Sequence, residues 1–331
     1  MTPAFRLALL SSTALVLLGS ATTFLVSLGY PRVRARLARL PPDVRARLVL
    51  AWTALPWLVS ACLLVLCFIP SLLSLLGLAA DHCPAHDDGH LHVCFAHARA
   101  YPVSTVEWAL VTIGALAVGG VAARLFLAQI RTWRVVESLL RVAGDEVRAG
   151  GLVASTEPLA VTAGLVRPLV LVSTGLRSRL SGRHLDAVLA HERAHARRRD
   201  PLLLLTVAML GAAHLPRTRA LLMADAAAAC EKAADEEAAR EVGDRVLVAE
   251  AIVAVERALR EPVRKPFGLA VGMAGCAAAA RVEAMLADPI PAAPTVRSLR
   301  YLAWPVLAVG ALLVSYEIHH LTETVLDLIA R

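Results

Sequence analysis

Charge is scarce in this chain and missing altogether from long stretches of it. Only 18% of its 331 residues are Asp, Glu, Lys or Arg, against 57% hydrophobic, and the mean hydropathy is +0.62. That balance excludes an ordinary soluble protein. The deficit falls in blocks. Leu7–Leu28 carries no charge, and neither does Val49–Ala80, which only Pro56 and Pro70 interrupt. Val106–Ala128 holds Glu107 and Arg124 near its ends, where such groups reach an interface. Leu302–Ile318 is shorter, with Trp304 and Tyr316 placed as interfacial anchors. Crossing a bilayer core takes about 20 residues, so three segments qualify (near 7–28, 49–78 and 106–128) and the fourth is marginal. No A-x-A cleavage site closes the first block and its apolar run outlasts a signal-peptide core, so a retained helix is expected. No internal repeat is present, which excludes a solenoid.

Arginine placement predicts the orientation. Arg32, Arg34, Arg36, Arg39, Arg45 and Arg47 crowd the stretch Tyr30–Leu48, read as a loop, while only Arg6 precedes the first block. The positive-inside rule puts that loop in the cytoplasm and the N-terminus outside a cytoplasmic (inner) membrane. Residues 81–105 then form an outer loop, 129–299 a cytoplasmic domain, and 300–331 a last span with a short outer tail. The inner-face arginines account for the net charge of +7 and the pI near 9.5. Direct nucleic-acid binding is the weaker reading of that charge.

Within the cytoplasmic stretch, Thr132–Val147 reads as an amphipathic helix. Leu159-Ala-Val-Thr and Pro168–Val172 read as two short strands about Gly164. Leu185, Val188 and Leu189 are spaced as on a helix that Ser181 can cap, and the run His191-Glu192-Arg193-Ala194-His195 follows with no Gly or Pro nearby. Histidines four apart share a helix face and can direct ring nitrogens at one ion; Glu192 beside them can take a proton from water held there. An ordinary basic helix face is the competing reading, given Arg193, Arg197, Arg198 and Arg199. Asp200-Pro201 ends the helix, and Leu202–Leu215 is apolar but too short to span, so a buried or membrane-dipping helix is expected. Arg219–Gly243 and Arg245–Arg260 read as helices, residues 261–280 as a Gly/Ala/Pro-rich loop, and Arg281–Leu286 as a short helix. A catalytic zinc needs a third ligand and an open position. Glu231 is the favoured ligand, with Asp235 one turn on to hold a histidine; Asp200, Asp225, His214 and Glu236 are alternatives, and an acidic surface strip is the plain reading.

The pattern His191-Glu-x-x-His195-x-Arg197-Arg-Arg-Asp200, an apolar helix, then Glu231-x-x-x-Asp235 resembles the BlaR/MecR-type (antirepressor) membrane metallopeptidases. Arg167–Val172 and Arg281–Leu286 match that family weakly, and the likeness covers roughly residues 100–320. The resemblance implies a multi-span α-helical membrane protein carrying a mainly α (α+β) cytoplasmic zinc-metalloprotease domain of gluzincin type. It implies Zn2+ held by His191, His195 and Glu231, Glu192 as catalytic base, and a strand such as Pro168–Val172 pairing with an extended substrate. The implied partner is a cytoplasmic protein, in sensor members a BlaI/MecI-like repressor; a homodimer is a further expectation. Sensor members carry a penicillin-binding domain after the last span, and here only about a dozen residues follow, so beta-lactam sensing by this chain alone is not expected.

Residues 81–97 hold five of the chain's eleven histidines, His82, His86, His90, His92 and His97, together with Cys83 and Cys94. A Cys83–Cys94 disulfide and a metal site compete for the same sulfurs, and a sensory role for the loop is expected. Cys62, Cys67 and Cys230 read as packing residues, and His319 and His320 as interfacial. Two other functions stay open. One is a membrane quality-control protease resembling the HtpX/Ste24 type. The other is a non-catalytic membrane sensor, to which Glu192 would contribute nothing.

Overall fold

The computed structural model describes residues 3–79, 103–143, 152–165, 168–259, 278–288 and 299–330. Long helices dominate it: α1 (Pro3–Leu37), α2 (Pro42–Leu75), α3 (Thr105–Ala143) and α10 (Leu299–Ala330). By length and composition, Leu7–Leu37, Pro42–Leu75 and Thr105–Arg124 can each cross a membrane. The marginal fourth segment lies within α10. The arginine-rich stretch 30–48 is not a loop: α1 runs to Leu37, α2 starts at Pro42, and most of those arginines sit on helix ends. Likewise the helix expected from Thr132 is the continuation of α3, which ends at Ala143.

The chain forms two compact units. The first comprises Met1–Leu28, Leu55–Gly120 and Pro294–Arg331. Its core joins Leu10 and Ala14 of α1 to Leu326 of α10, with Leu64 and Phe68 of α2 packed alongside. His319 is fully buried and donates from Nδ1 to the Cys67 carbonyl at 2.6 Å.

The second unit comprises Gly29–Ala54 and Val121–Ala293. After β1 (Leu152–Val153) come β2 (Ala160–Ala163), β3 (Leu169–Ser173) and the one-turn α4 (Thr174–Arg177). Then follow α5 (Gly182–Arg198), α6 (Asp200–Gly211), α7 (Pro216–Val242), α8 (Arg245–Leu259) and α9 (Ala278–Leu286). The sheet order is β1-β3-β2, with β1 parallel and β2 antiparallel to β3. Among the described residues β1 and β2 are the edge strands, and β1 covers β3 only at Val172 and Ser173. The expected edge of Pro168–Val172 is therefore partly covered, and β2 presents its outer side along its whole length. Helix α5 starts where Ser181 accepts a hydrogen bond from the His184 amide. Its buried Ala187 and Val188 pack with Val248, Ile252 and Val255 of α8. Gly243, at φ 74°, ends α7 in the left-handed conformation a glycine adopts freely.

One buried carboxylate ties the C-terminal end of α1 and the N-terminal end of α2 to α7. Asp225 is 2% exposed and accepts from Tyr30 Oη (2.8 Å), from Arg45 Nη2 (2.8 Å), and from both Nε and Nη2 of Arg34. Around it Leu37, Ala46 and Val49 pack against Leu204, Val207, Leu222 and Ala226. Burial alone would raise the Asp225 carboxyl, but hydrogen bonds from Arg34 and Tyr30 prevail and hold it below its ordinary 3.8. A depressed carboxylate stabilises the fold above its unfolded-state value, and that share is lost as pH falls through the folded value. Acid destabilisation from this group therefore begins below about pH 3.8. Asp225→Ala should cost on the order of 3 kcal/mol, the low end for a broken buried pair, because Arg34 is screened by solvent. Thermal unfolding of the variant in detergent measures it, and an unchanged midpoint would refute it.

Candidate metal centre

The second unit builds its polar centre from α5 and α7. Both helices are rich in buried small side chains, Ala187, Ala190 and Ala194 on one and Ala233, Ala234 and Ala238 on the other. On the facing surfaces His191, His195, Glu231 and Asp235 are each at most 2% exposed. Four-residue spacing puts His191 and His195 on one face of α5, and Glu231 and Asp235 on one face of α7.

Carboxylates fix both histidines from behind. Asp235 Oδ1 lies 2.9 Å from His191 Nδ1. Asp200 Oδ2 lies 2.7 Å from His195 Nδ1 and also accepts from Arg198 Nε. Each contact keeps a proton on Nδ1 and turns the lone pair to Nε2. The two Nε2 atoms then face each other at 3.0 Å, with a Glu231 oxygen 3.6 Å from each. Two facing lone pairs repel unless a proton or a cation lies between them; below about pH 9 the proton of His191 fills that place, and a metal ion would replace it. Nitrogens bonded to one tetrahedral zinc are about 3.3 Å apart, from zinc–nitrogen bonds of 2.0–2.1 Å. The donor atoms of His191, His195 and Glu231 all fall within 4.8 Å of one another. Charge agrees as well: Asp200, Glu231 and Asp235 pair with the guanidiniums Arg198 and Arg281 and Glu192 adds a fourth carboxyl group, so the site favours a cation. The residues present fit zinc.

Burial lowers the tendency of His191 to take a proton, but Asp235 and then Glu231 outweigh it and raise its value to about 9. Burial likewise pushes the Glu192 carboxyl up, against the pull of His195, His191 and Thr162. Thr162 on β2 donates to Glu192 Oε2 at 2.8 Å and to its backbone carbonyl at 2.7 Å, and Oε1 has no hydrogen-bond partner among the described residues. Thr162 thus fixes one oxygen of a buried, proton-seeking carboxylate beside the histidine pair and leaves the other for chemistry.

Two residues of the centre escape the sequence reading. Thr162 is one. The other is Arg281 on α9, fully buried, which grips Asp235 at 2.8 and 2.6 Å and lies 2.8 Å from Glu231 Oε2. With His191 it keeps Asp235 well below the usual carboxylate range despite burial. Its sequence signals were an arginine in a short, alanine-rich helix and the weak family likeness of Arg281–Leu286. The alternative third ligands lie elsewhere: Asp225 in the arginine cluster, His214 donating to the Thr53 carbonyl, Glu236 paired with Arg245, and Asp200 behind His195. Cys230 is buried on α7. His82, Cys83, His86, His90, His92, Cys94 and His97 lie outside the described residues.

Residues 131–265 match the model of Peptidase family M48. The match supports a metallopeptidase. Peptidases of this family are typically zinc-dependent, and the matched stretch contains His191, Glu192, His195, Glu231 and Asp235, whereas Arg281 lies beyond it. No curated protein and no solved structure matches the chain.

Metal binding must displace the proton that His191 holds below about pH 9, so zinc affinity should rise with pH, up to about tenfold per unit, and level off near that value. Competition against a chelator at several pH values measures this. Asp235→Ala should weaken zinc binding about 10–100-fold at neutral pH while the helices persist; undiminished affinity would contradict the role given to that carboxylate.

Proposed function

We propose that this chain is an integral-membrane zinc endopeptidase that cleaves a cytoplasmic protein, a transcriptional repressor of the BlaI/MecI kind being the favoured substrate. The observation that carries the hydrolytic part is Glu192, buried with one oxygen uncommitted beside a fitted metal-donor set, inside a stretch that matches a peptidase family. A merely structural metal site has no use for that carboxylate. Zinc held by His191, His195 and Glu231 would polarise the scissile carbonyl and acidify a water. Glu192 Oε1 would take the proton from that water and pass it to the departing amide nitrogen. Asp235 and Asp200 hold the histidines in the ligating tautomer, and Arg281 keeps Asp235 ionised for that task. The open edge of β2, whose Thr162 grips Glu192, offers backbone groups to an extended peptide beside the reacting atoms.

The cytoplasmic side, the inner membrane and the outside N-terminus rest on the arginines at the α1–α2 turn and the positive-inside rule. The signalling role rests on resemblance to the antirepressor peptidases in the Arg197–Asp200 extension, where Asp200 holds His195. A second reading, a quality-control peptidase resembling the HtpX/Ste24 type, draws on the family match, which names peptidases and no signalling role.

The test compares the purified chain with Glu192→Ala, and co-expresses each with candidate repressors. Zinc content should be unchanged and cleavage should fall about 10²–10⁴-fold, the usual share of a general base. Absence of zinc from both proteins would sink either peptidase reading. Zinc-dependent cleavage of misfolded membrane proteins but no repressor would favour the second.

A further inference from the structure

Helix α6 is apolar all round, yet among the described residues only one side of it is covered. Leu204 and Val207 are buried with Tyr30, Leu37, Ala46, Val49 and Leu222. The opposite line leaves Leu202 38% and Met209 45% exposed, followed by exposed Ala213 and by Leu215 at 38%. Between Asp200 and Arg217 no residue carries a fixed charge. The one hydroxyl on the open side, Thr206, turns back to the Leu202 carbonyl at 2.8 Å and needs no solvent.

The level of this surface can be read along α2. His214 donates to the Thr53 carbonyl at 3.2 Å, and a side chain at Gly211 would touch the Thr53 methyl at 3.6 Å. Thr53 lies eight residues beyond Arg45, or about 12 Å at a helical rise of 1.5 Å per residue. It falls inside the uncharged run that opens at Val49. In the opposite direction, Asp225 of α7 meets Arg45. The α6–α7 corner therefore lies alongside the first turns of the apolar part of α2, below the ring of arginines.

We propose that this corner is inserted in the bilayer, with Leu202, Met209, Ala213 and Leu215 against the acyl chains of the leaflet that α2 enters. Arg217 and Arg219, exposed at the start of α7, reach back to the lipid phosphates along their own stems. The insertion rests on α2 crossing the membrane, as proposed above. Asp200 stands at the other end of α6, eleven residues before Gly211, so the metal centre's edge lies about 16 Å from the inserted tip. The peptidase would thus cut at the membrane surface, on segments that are tethered to it or reach down to it.

A nitroxide on a keto-bearing amino acid placed at 209 or 215 tests this in the full chain, in phosphatidylcholine/phosphatidylglycerol nanodiscs with every native cysteine kept. The same label at 57, exposed on α2, reports whether α2 lies in lipid, and at 246, exposed on α8, reports water. The oxygen-to-nickel-chelate accessibility ratio at 209 and 215 should match that at 57 and exceed that at 246 about fivefold or more. A lipid value at 57 with water values at 209 and 215 would overturn the insertion alone. Protection from both reagents at 209 and 215 would mean that protein covers the corner, and would also overturn it. Water values at 57 itself would remove the membrane reading, and the insertion with it.

Discussion

Everything distinctive in this protein depends on two imidazole rings held with their Nε2 atoms face to face. At 3.0 Å the pair shares a proton in the metal-free site and would present two lone pairs to a metal ion, and the arrangement persists because a buried carboxylate grips each ring from behind. Those carboxylates are themselves buried charges, which a protein interior tolerates only when paired and hydrogen-bonded. Arg281 and Arg198 supply the pairing. The order of dependence thus runs outward, from lone pairs to carboxylates to guanidiniums, and ends on a helix outside the stretch that matches a peptidase family.

The backbone bends to serve this centre at Arg199, which closes α5 and opens α6 with φ at 55°. A side chain in the left-handed region costs roughly 1–2 kcal/mol. What the turn gains is Asp200: its carboxylate doubles back to His195 while Pro201 starts the next helix without missing its amide. The same turn sends α6 off toward Thr53 of α2. One strained residue thereby positions a histidine and fixes the direction of an apolar helix.

Much of this was legible in the chain because the signals are local. Ser181 as a cap, the histidine pair, the break at Asp200-Pro201, the end at Gly243, and Glu231 with Asp235 one turn apart all follow from periods and caps that act over a few residues. Thr162 and Arg281 carry no such signal. A threonine in a short strand and an arginine in a short helix acquire their meaning only when the sheet and α9 fold against α5 and α7. Strand order carries no local signal either: that β2 forms an edge beside α5, and that β1 covers only the end of β3, are tertiary properties. The arginine-rich stretch 30–48 misled in another way. Its composition is that of a turn, yet Tyr30, Arg34 and Arg45 extend the helices to reach Asp225.

Two helices that carry buried alanines supply the ligands, and this sets a tolerance. Ligands from α5 and α7 meet only while the two backbones keep their spacing, which packing enforces among the described residues. Anything that wedges the helices apart by an ångström, whether a bulkier side chain at Ala233 or lateral pressure transmitted through α6, would detach Glu231 from the histidine pair before the fold itself was lost. The enzyme's chemistry is in this sense a strain gauge for its own interior.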